Sequence, residues 1–240
     1  MKIFIGKIFL VFILCFLFYF IIVKPNNKFY TNKKILSDIR NLLKNIDDIF
    51  YRNDITYWMD GGTLLGAIRH ANIIPWDDDG DLVVLSSDET KLLNLRDDFK
   101  KYGYGLSKSW CGYKIYLLEG TDIKYQNRNW YWSEDCSDIS ESETFNYKFP
   151  FIDILLVDEE NDILNYTNKR AKKVWPGFYH DKKDTFPLSR YKFDTFYLNG
   201  PSNPRPFLDR AYGADWPKIG YRQYDHENQI KIPKKTFNIL

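Results

Sequence analysis

From Asn32 to Phe50, apolar side chains recur at Ile35, Ile39, Leu42, Leu43, Ile46 and Ile49. Steps of three and four predict an amphipathic helix with one buried face. A short apolar run, Ile55–Met59, then predicts a strand, followed by Asp60-Gly61-Gly62-Thr63 and a helical turn or two through Leu64, Leu65, Ala67 and Ile68. A loop closed by Pro75 leads through four aspartates into a second apolar strand, Leu82–Leu85. Ser86 and Glu89 are spaced as a capping box for a further helix, its buried stripe Leu92, Leu93, Leu95 and Phe99, ending at Tyr102-Gly103. Strand-like pieces follow at Tyr104–Ser107 and Tyr113–Leu118. The polar, aromatic and acidic stretch Glu119–Tyr147 reads as a long loop or insertion. Phe149–Val157 is a buried strand interrupted by one aspartate, Asp153, with a turn over Asp158–Asp162. Thr185–Leu188 and Tyr191–Leu198 suggest a paired strand region, and Pro201-Ser202-Asn203-Pro204 opens a last helix, Arg205 to Tyr212, stopped by Gly213. The basic, polar tail after Trp216 carries no assignable pattern.

The first 23 residues stand apart. Ile8 to Val23 is unbroken apolar sequence, preceded by Lys2 and Lys7. If Lys7 snorkels, Ile3 to Val23 reaches the roughly 20 residues that a bilayer needs. A cleaved signal peptide is the competing reading. Against it, the run is long for such a segment, and Lys24-Pro25-Asn26-Asn27 offers no small-residue cleavage site. The expected organisation is a transmembrane anchor over 1–23, a linker over 24–31 and one α/β domain over 32–240, a small mixed sheet flanked by helices. Lys24 and Lys28 beyond the anchor blunt any orientation signal.

The chemistry concentrates between Ile55 and Leu85. A glycine pair at a strand-to-helix junction lets backbone approach an anion, and a helix N-terminus offers it free N–H groups. Gly61, Gly62 and Thr63 are therefore candidate phosphate binders. Asp79 and Asp81, two apart at the head of a strand, project to one face, with Asp77 in phase. Carboxylates facing a phosphate-sized hollow suit Mg²⁺ or Mn²⁺ held between protein and nucleotide phosphates. Arg69 has the planar fork for a phosphate but equally suits a surface ion pair. Asp153 alone in an apolar strand is costly unless paired or metal-bound, and a strand-end carboxylate with a bound water is the plainer alternative. His70 reads as structural or exposed.

The string DGGTLLGAIRH…IPWDDDGDL resembles the signature of the LicD/fukutin family within the nucleotidyltransferase-like superfamily, and FPL…PSNPRPFLDRAYGADW is similar to its downstream pattern. The resemblance implies transfer of a phospho-alcohol, phosphocholine or ribitol phosphate, from a CDP-activated donor to a glycan or glycoprotein hydroxyl. It implies Asp79, Asp81 and Asp153 as catalytic metal ligands for Mg²⁺ or Mn²⁺. One residue departs from it: Gly80 stands where family members usually carry Ile or Val, costing the strand roughly 0.5–1 kcal/mol of preference. With the anchor, the resemblance implies a type II single-pass protein with a lumenal Golgi or ER domain; a bacterial inner-membrane or viral setting fits the same pattern.

Composition trims the alternatives. The net charge of +2 belongs to Lys2 and Lys7; without them 32 basic residues face 32 acidic ones, so the domain lacks a nucleic-acid footprint. Aromatic residues, 18% of the chain, suit sugar stacking but more commonly build cores. Of three cysteines, Cys111 and Cys136 lie outside the anchor and could pair in an oxidising lumen; with only His70, His180 and His226, a structural zinc site is unsupported. Asn165-Tyr166-Thr167 is a glycosylation sequon, usable only in a lumen. The acidic run SEDCSDISESE reads as a solvated face. An EF-hand loop from Asp77 fails, because Leu82 and Asp88 stand where Gly and Glu are needed. A looser divalent-metal-binding module, or a degenerate transferase acting as a binding partner, is the alternative from another class.

Overall fold

The computed structural model describes residues 30–123 and 146–239. The anchor expected over 1–23 and the acidic run over 133–143 lie outside them. Among the described residues no helix is long and apolar enough to cross a membrane.

The first element is helix α1 (Lys33–Arg52), capped by the Asn32 side chain, which accepts from the Lys34 N–H. The predicted stripe packs inward at Ile39, Leu42, Leu43, Ile46 and Ile49, joined by Phe50. Burying each such side chain stabilises the fold by roughly 2 kcal/mol. Strand β1 (Tyr57–Met59) and helix α2 (Gly61–His70) follow, then β2 (Gly80–Leu85).

The predicted helix after β2 is broken. A 3₁₀ turn (Ser86–Asp88) precedes two short helices, α3 (Glu89–Asn94) and α4 (Arg96–Lys101), which meet at buried Leu95. The capping box does not form: the Ser86 hydroxyl donates to Asp158 instead. Strands β3 (Tyr104–Ser109) and β4 (Gly112–Asp122) make a hairpin; β4 takes in residues 119–122, which were expected in a loop, and the rest of that expected loop over 124–145 lies outside the described residues. Strand β5 (Lys148–Glu160) is longer than its apolar core, so the turn falls at Asn161 and Asp162, both at positive φ.

Strand β6 (Ile163–Tyr166), helix α5 (Lys169–Val174), strand β7 (His180–Asp181) and helix α6 (Lys182–Thr185) come next. Thr185 thus ends a helical turn rather than starting a strand. The hairpin expected beyond it is β8 (Ser189–Phe193) with β9 (Phe196–Gly200). Helix α7 (Arg205–Tyr212) ends at Gly213, where φ is 85°, a conformation glycine adopts without a Cβ penalty. The unassigned tail forms a third hairpin, β10 (Ile219–Asp225) with β11 (Ile230–Asn238).

The main sheet runs β1-β2-β5-β4-β3, with β6 and β7 continuing from the far half of β5. Only the β2–β5 ladder is parallel; the others are antiparallel. Side-chain alternation divides its strands between two cores. Tyr57, Met59, Leu82, Val84, Ile152 and Ile154 join the α1 face. Trp58, Val83, Leu155 and Val157 pack with Trp110, Tyr166 and Ala171 on the other. Cover on both faces is why β2 reads Leu-Val-Val rather than alternating. The architecture is the mixed, helix-flanked α/β sheet expected.

Candidate metal and phosphate site

The period of a strand decides where the carboxylates go. Asp81 is two residues before Val83, and Asp153 two before Leu155, so both project on the face away from α1. The ladder places Asp81 beside Asp153, and Asp153 beside Lys114 of β4. The Asp60 N–H donates to the Asp81 carbonyl at 3.1 Å, extending the row onto β1. Lys114, Asp153, Asp81 and Asp60 therefore stand side by side, on β4, β5, β2 and just past the end of β1. Asp79 joins the row from the loop before β2, and oxygens of Asp79, Asp81 and Asp153 lie within 4.8 Å of one another.

The glycine pair faces these carboxylates. The Gly62 N–H donates to Asp81 Oδ2 at 3.0 Å. A Cβ on Gly61, where φ is +47°, would stand 2.6 Å from Asp81 Oδ2, and one on Gly62 would stand 2.6 Å from Asp77 Oδ2. Glycine at both positions thus brings two carboxylates against a helix N-terminus, where the dipole favours negative charge. The Thr63 hydroxyl is buried and accepts from the Asp81 N–H at 2.8 Å, so it pins β2 to α2. Gly80 faces the α1 side, its missing side chain replaced by Ile152 and Leu43. The departure from the family pattern is thus filled by packing.

Arg69 lines the cleft but makes no carboxylate ion pair within 4 Å among the described residues. Its Nη1 donates to the Trp216 carbonyl at 2.7 Å, and its Nε to His70 Nε2 at 3.0 Å. Burial lowers its pKa, opposed by nearby Tyr212 and Asp77. His70 is held down to about 4 by burial and by Arg69, which keeps the ring a neutral acceptor.

Three partners had no signal in the sequence. His226, from the β10–β11 turn, faces Asp78 Oδ1 through Nδ1 at 2.6 Å and Asp79 Oδ2 through Nε2 at 3.1 Å, and its N–H donates to Asp78. It completes a second group of possible ligands, Asp77, Asp78, Asp79 and His226. Asp60, 1% exposed, accepts from the Tyr166 hydroxyl and faces His180 Nε2 at 3.0 Å. His180 is stacked on Phe207, ring centroids 4.1 Å apart. Lys114, 4% exposed, donates to Asp153 at 2.5 Å, and its Nζ sits 3.7 Å over the Phe151 ring. A signal for Lys114 and His226 was beyond reach because the register of β4 on β5 brings in the first and the turn of a separate hairpin the second, neither visible in spacing.

Like charges crowded out of water govern the electrostatics. Burial first, then Asp153, Asp77 and Asp60, push Asp81 up to about 8. Burial and Asp78 push Asp77 up to about 6. Asp79 is raised well above its ordinary value by burial and by Asp81, Asp77 and Asp153, with His226 opposing. Burial also acts on Asp78, but His226 and Arg222 outweigh it and hold that carboxyl low. Burial works against the His226 cation, yet Asp79 and Asp78 lift it to about 10. A group of carboxylates this reluctant to ionise together is a fitting host for a divalent cation, which would take the place of their protons. A cleft of about 390 Å³ opens over them, walled by Trp76, Trp175, Phe178, Tyr212 and Tyr221.

Two proteins described only as uncharacterized, from Rickettsia prowazekii and Rickettsia typhi, are 29% and 31% identical over 214 residues. The matches cover 88% of this chain but 68% and 57% of theirs. Human ribitol 5-phosphate transferase FKRP is 38% identical over 61 residues, 25% of this chain and 12% of that protein. The lipopolysaccharide cholinephosphotransferase LicD of Haemophilus influenzae is 55% identical over 42 residues, 16% of each. The profile of the LicD/FKTN/FKRP nucleotidyltransferase domain matches residues 54–203, from just before β1 to the loop before α7. That span holds the glycine pair and every carboxylate of the row, and by it the chain belongs to the LicD/FKTN/FKRP family.

Proposed function

We propose that this chain transfers a phospho-alcohol, ribitol phosphate or phosphocholine, from a CDP-activated donor to a glycan hydroxyl, with Mg²⁺ or Mn²⁺ as cofactor. One observation carries the reading: Asp79, Asp81 and Asp153 converge on one point in front of the glycine-led N-terminus of α2. The relatives named as ribitol 5-phosphate transferase and cholinephosphotransferase support it.

Asp79, Asp81 and Asp153 would hold the cation, with Asp77 beside them. A bound divalent ion would neutralise donor phosphate charge and lower the pKa of the attacking hydroxyl. The chain's own groups do the rest. Backbone N–H groups of Gly61 and Gly62 would receive phosphate oxygens, the Gly62 N–H exchanging its bond to Asp81 for one to phosphate. Arg69, anchored by the Trp216 carbonyl, adds positive charge to the same wall. The acceptor oxygen forms a bond to the donor's β-phosphorus while the bond to the bridging oxygen breaks. CMP leaves with that electron pair, and the hydroxyl proton passes to the carboxylate cluster. Most of the acceleration comes from positioning and charge stabilisation. Residues 1–23 would hold the domain at a Golgi or ER membrane, facing the lumen.

The test is CMP release from CDP-ribitol and CDP-choline with Mn²⁺ or Mg²⁺. We expect turnover of one donor, abolished by EDTA and by Asp79→Asn or Asp81→Asn. Turnover of neither donor, with Ca²⁺ alone raising the melting temperature, would instead make the carboxylates a structural ion site.

A further inference from the structure

Asp79, Asp81 and Asp153 are each held by a group from a different element. Asp81 Oδ2 accepts from the Gly62 N–H of α2 at 3.0 Å, and Asp153 Oδ1 from Lys114 of β4 at 2.5 Å. Asp79 Oδ2 faces His226 Nε2 at 3.1 Å. Lys114 belongs to the main sheet and Gly62 to the helix that Thr63 pins to it, and both fall within residues 54–203. His226 comes from the β10–β11 hairpin, which forms a sheet of its own beyond that span. A second cleft, of about 430 Å³, lies beside the first, and Gln223, Tyr224 and His226 line both. The tip of the hairpin is thus a wall shared by the two clefts.

The hairpin is built in two pieces. Its base pairs residues 219–222 with 235–238 and is seated on the body: Trp76 Nε1 donates to the Tyr221 carbonyl at 3.1 Å, and Phe237 packs on Trp76 with ring centroids 4.6 Å apart. Its tip pairs Tyr224 with Lys231 and Asp225 with Ile230. Between base and tip the ladder slips, after the Arg222–Lys235 pair, and Pro233 brings no N–H to that stretch. Such a break lets the tip bend relative to the base. Two carboxylates then fasten the tip. Asp78 accepts from the His226 N–H at 3.1 Å and faces Nδ1 at 2.6 Å, and it stands outside the group of Asp79, Asp81 and Asp153. Asp79 faces the other ring nitrogen and belongs to that group. A ring N–H and a divalent cation draw on the same negative charge, so a cation at Asp79 weakens its bond to His226.

We infer that His226 is a cation-sensitive latch: it holds the hairpin tip closed on Asp79 in the cation-free protein, and the tip pivots about Asp78 when a divalent cation takes Asp79, opening the wall between the two clefts. The inference rests on the divalent-cation reading of Asp79, Asp81 and Asp153. Asp78 and the seated base keep the hairpin attached throughout, so the motion is a swing of the tip at the break in the ladder.

Amide hydrogen exchange of the full chain in detergent, with and without saturating Mn²⁺, tests it alongside calorimetric titration of Mn²⁺ into the same preparations. We expect Mn²⁺ to speed exchange at the tip, residues 223–229, by about tenfold while the base over 219–222 and 235–238 keeps its protection. His226→Asn can donate to Asp78 from the position of Nδ1 but does not reach Asp79. It should bind Mn²⁺ about tenfold more tightly than the wild type, and its tip should no longer respond to the ion. His226→Gln, which can reach Asp79 from the position of Nε2, should bring the affinity back toward that of the wild type. Mn²⁺ binding that leaves exchange at the tip unchanged or slows it, or an Asn variant that binds Mn²⁺ no more tightly than the wild type, would overturn the latch and leave the cation site standing. No Mn²⁺ binding by either the wild type or His226→Asn would sink the cation reading itself, and the latch with it.

Discussion

Gly61 carries two demands at once, a φ of +47° and the absence of a Cβ beside Asp81 Oδ2. Gly61→Ala should therefore cost roughly 1–3 kcal/mol and displace the carboxylate. Calorimetry with Mn²⁺ should show a loss of affinity of about tenfold or more; unchanged affinity would mean that Asp81 does not need this approach. The pH dependence follows from the same crowding. Without a cation, Asp81 and Asp77 keep their protons to about pH 8 and about pH 6, against an ordinary carboxyl value near 4. Between those limits the folded chain binds more protons than the unfolded one, so stability falls as pH rises from about 4 through about 8. His226 has the same sign: its pairing contributes below about 6.5 and is lost as pH rises through about 10. Thermal melts in EDTA should fall from pH 5 to pH 9, and saturating Mn²⁺ should raise the melting temperature most at the alkaline end. A melting temperature that climbs with pH in EDTA would contradict this account. At this scale the face of Asp81 and Asp153 was legible, because a strand's period fixes which side chains share a face; Asp77 and Asp79 lie in the loop before β2, where that period does not reach, and Asp77 groups with Asp78, Asp79 and His226. The partner of Thr63 was not legible: its hydroxyl was expected on phosphate, and the fold turns it to the Asp81 N–H.

Helix α1, the β1–α2 junction, β2, the core of β5 and α7 could all be read from periodicity, caps and the glycine stop. Each has a strong local pattern and a face that only one arrangement buries. The helix after β2 was drawn too long because Leu92, Leu95 and Phe99 keep a helical stripe across a break that tertiary packing imposes at Leu95. The β10–β11 hairpin escaped because its strands are half exposed on both faces, leaving no alternation to detect. That hairpin delivers His226 to Asp78 and Asp79, so its contribution is electrostatic as well as structural. His226→Ala removes the imidazole from Asp78 and leaves it with Arg222 and the backbone N–H of residue 226, and should destabilise the metal-free protein by about 3 kcal/mol in urea denaturation. A change below about 0.5 kcal/mol would show that water replaces the imidazole without cost.

The whole molecule joins a helix-flanked mixed sheet, a row of buried charges made by Lys114 of β4, Asp153 of β5, Asp81 of β2 and Asp60 just after β1, and a hairpin, β10–β11, that brings His226 to the neighbouring Asp78 and Asp79. Its family was legible in thirty residues because they hold the glycine turn and the acidic loop together. The second cleft was not, since β4, β5, α5 and the tail meet there only in three dimensions. If residues 1–23 form the anchor, the full chain should remain in membranes after carbonate extraction and a chain starting near Lys28 should not; release of both would remove the anchor. The central claim is metal-dependent binding of a CDP-activated alcohol at Asp79, Asp81 and Asp153. Its most direct test is calorimetric titration of CDP-ribitol and CDP-choline into the full chain, with Mg²⁺ or Mn²⁺ and again with EDTA, repeated on Asp79→Asn and Asp81→Asn. The account predicts that one donor binds only with metal and that both variants lose it. Donor binding that survives EDTA or both substitutions, or no binding of either donor, would contradict it.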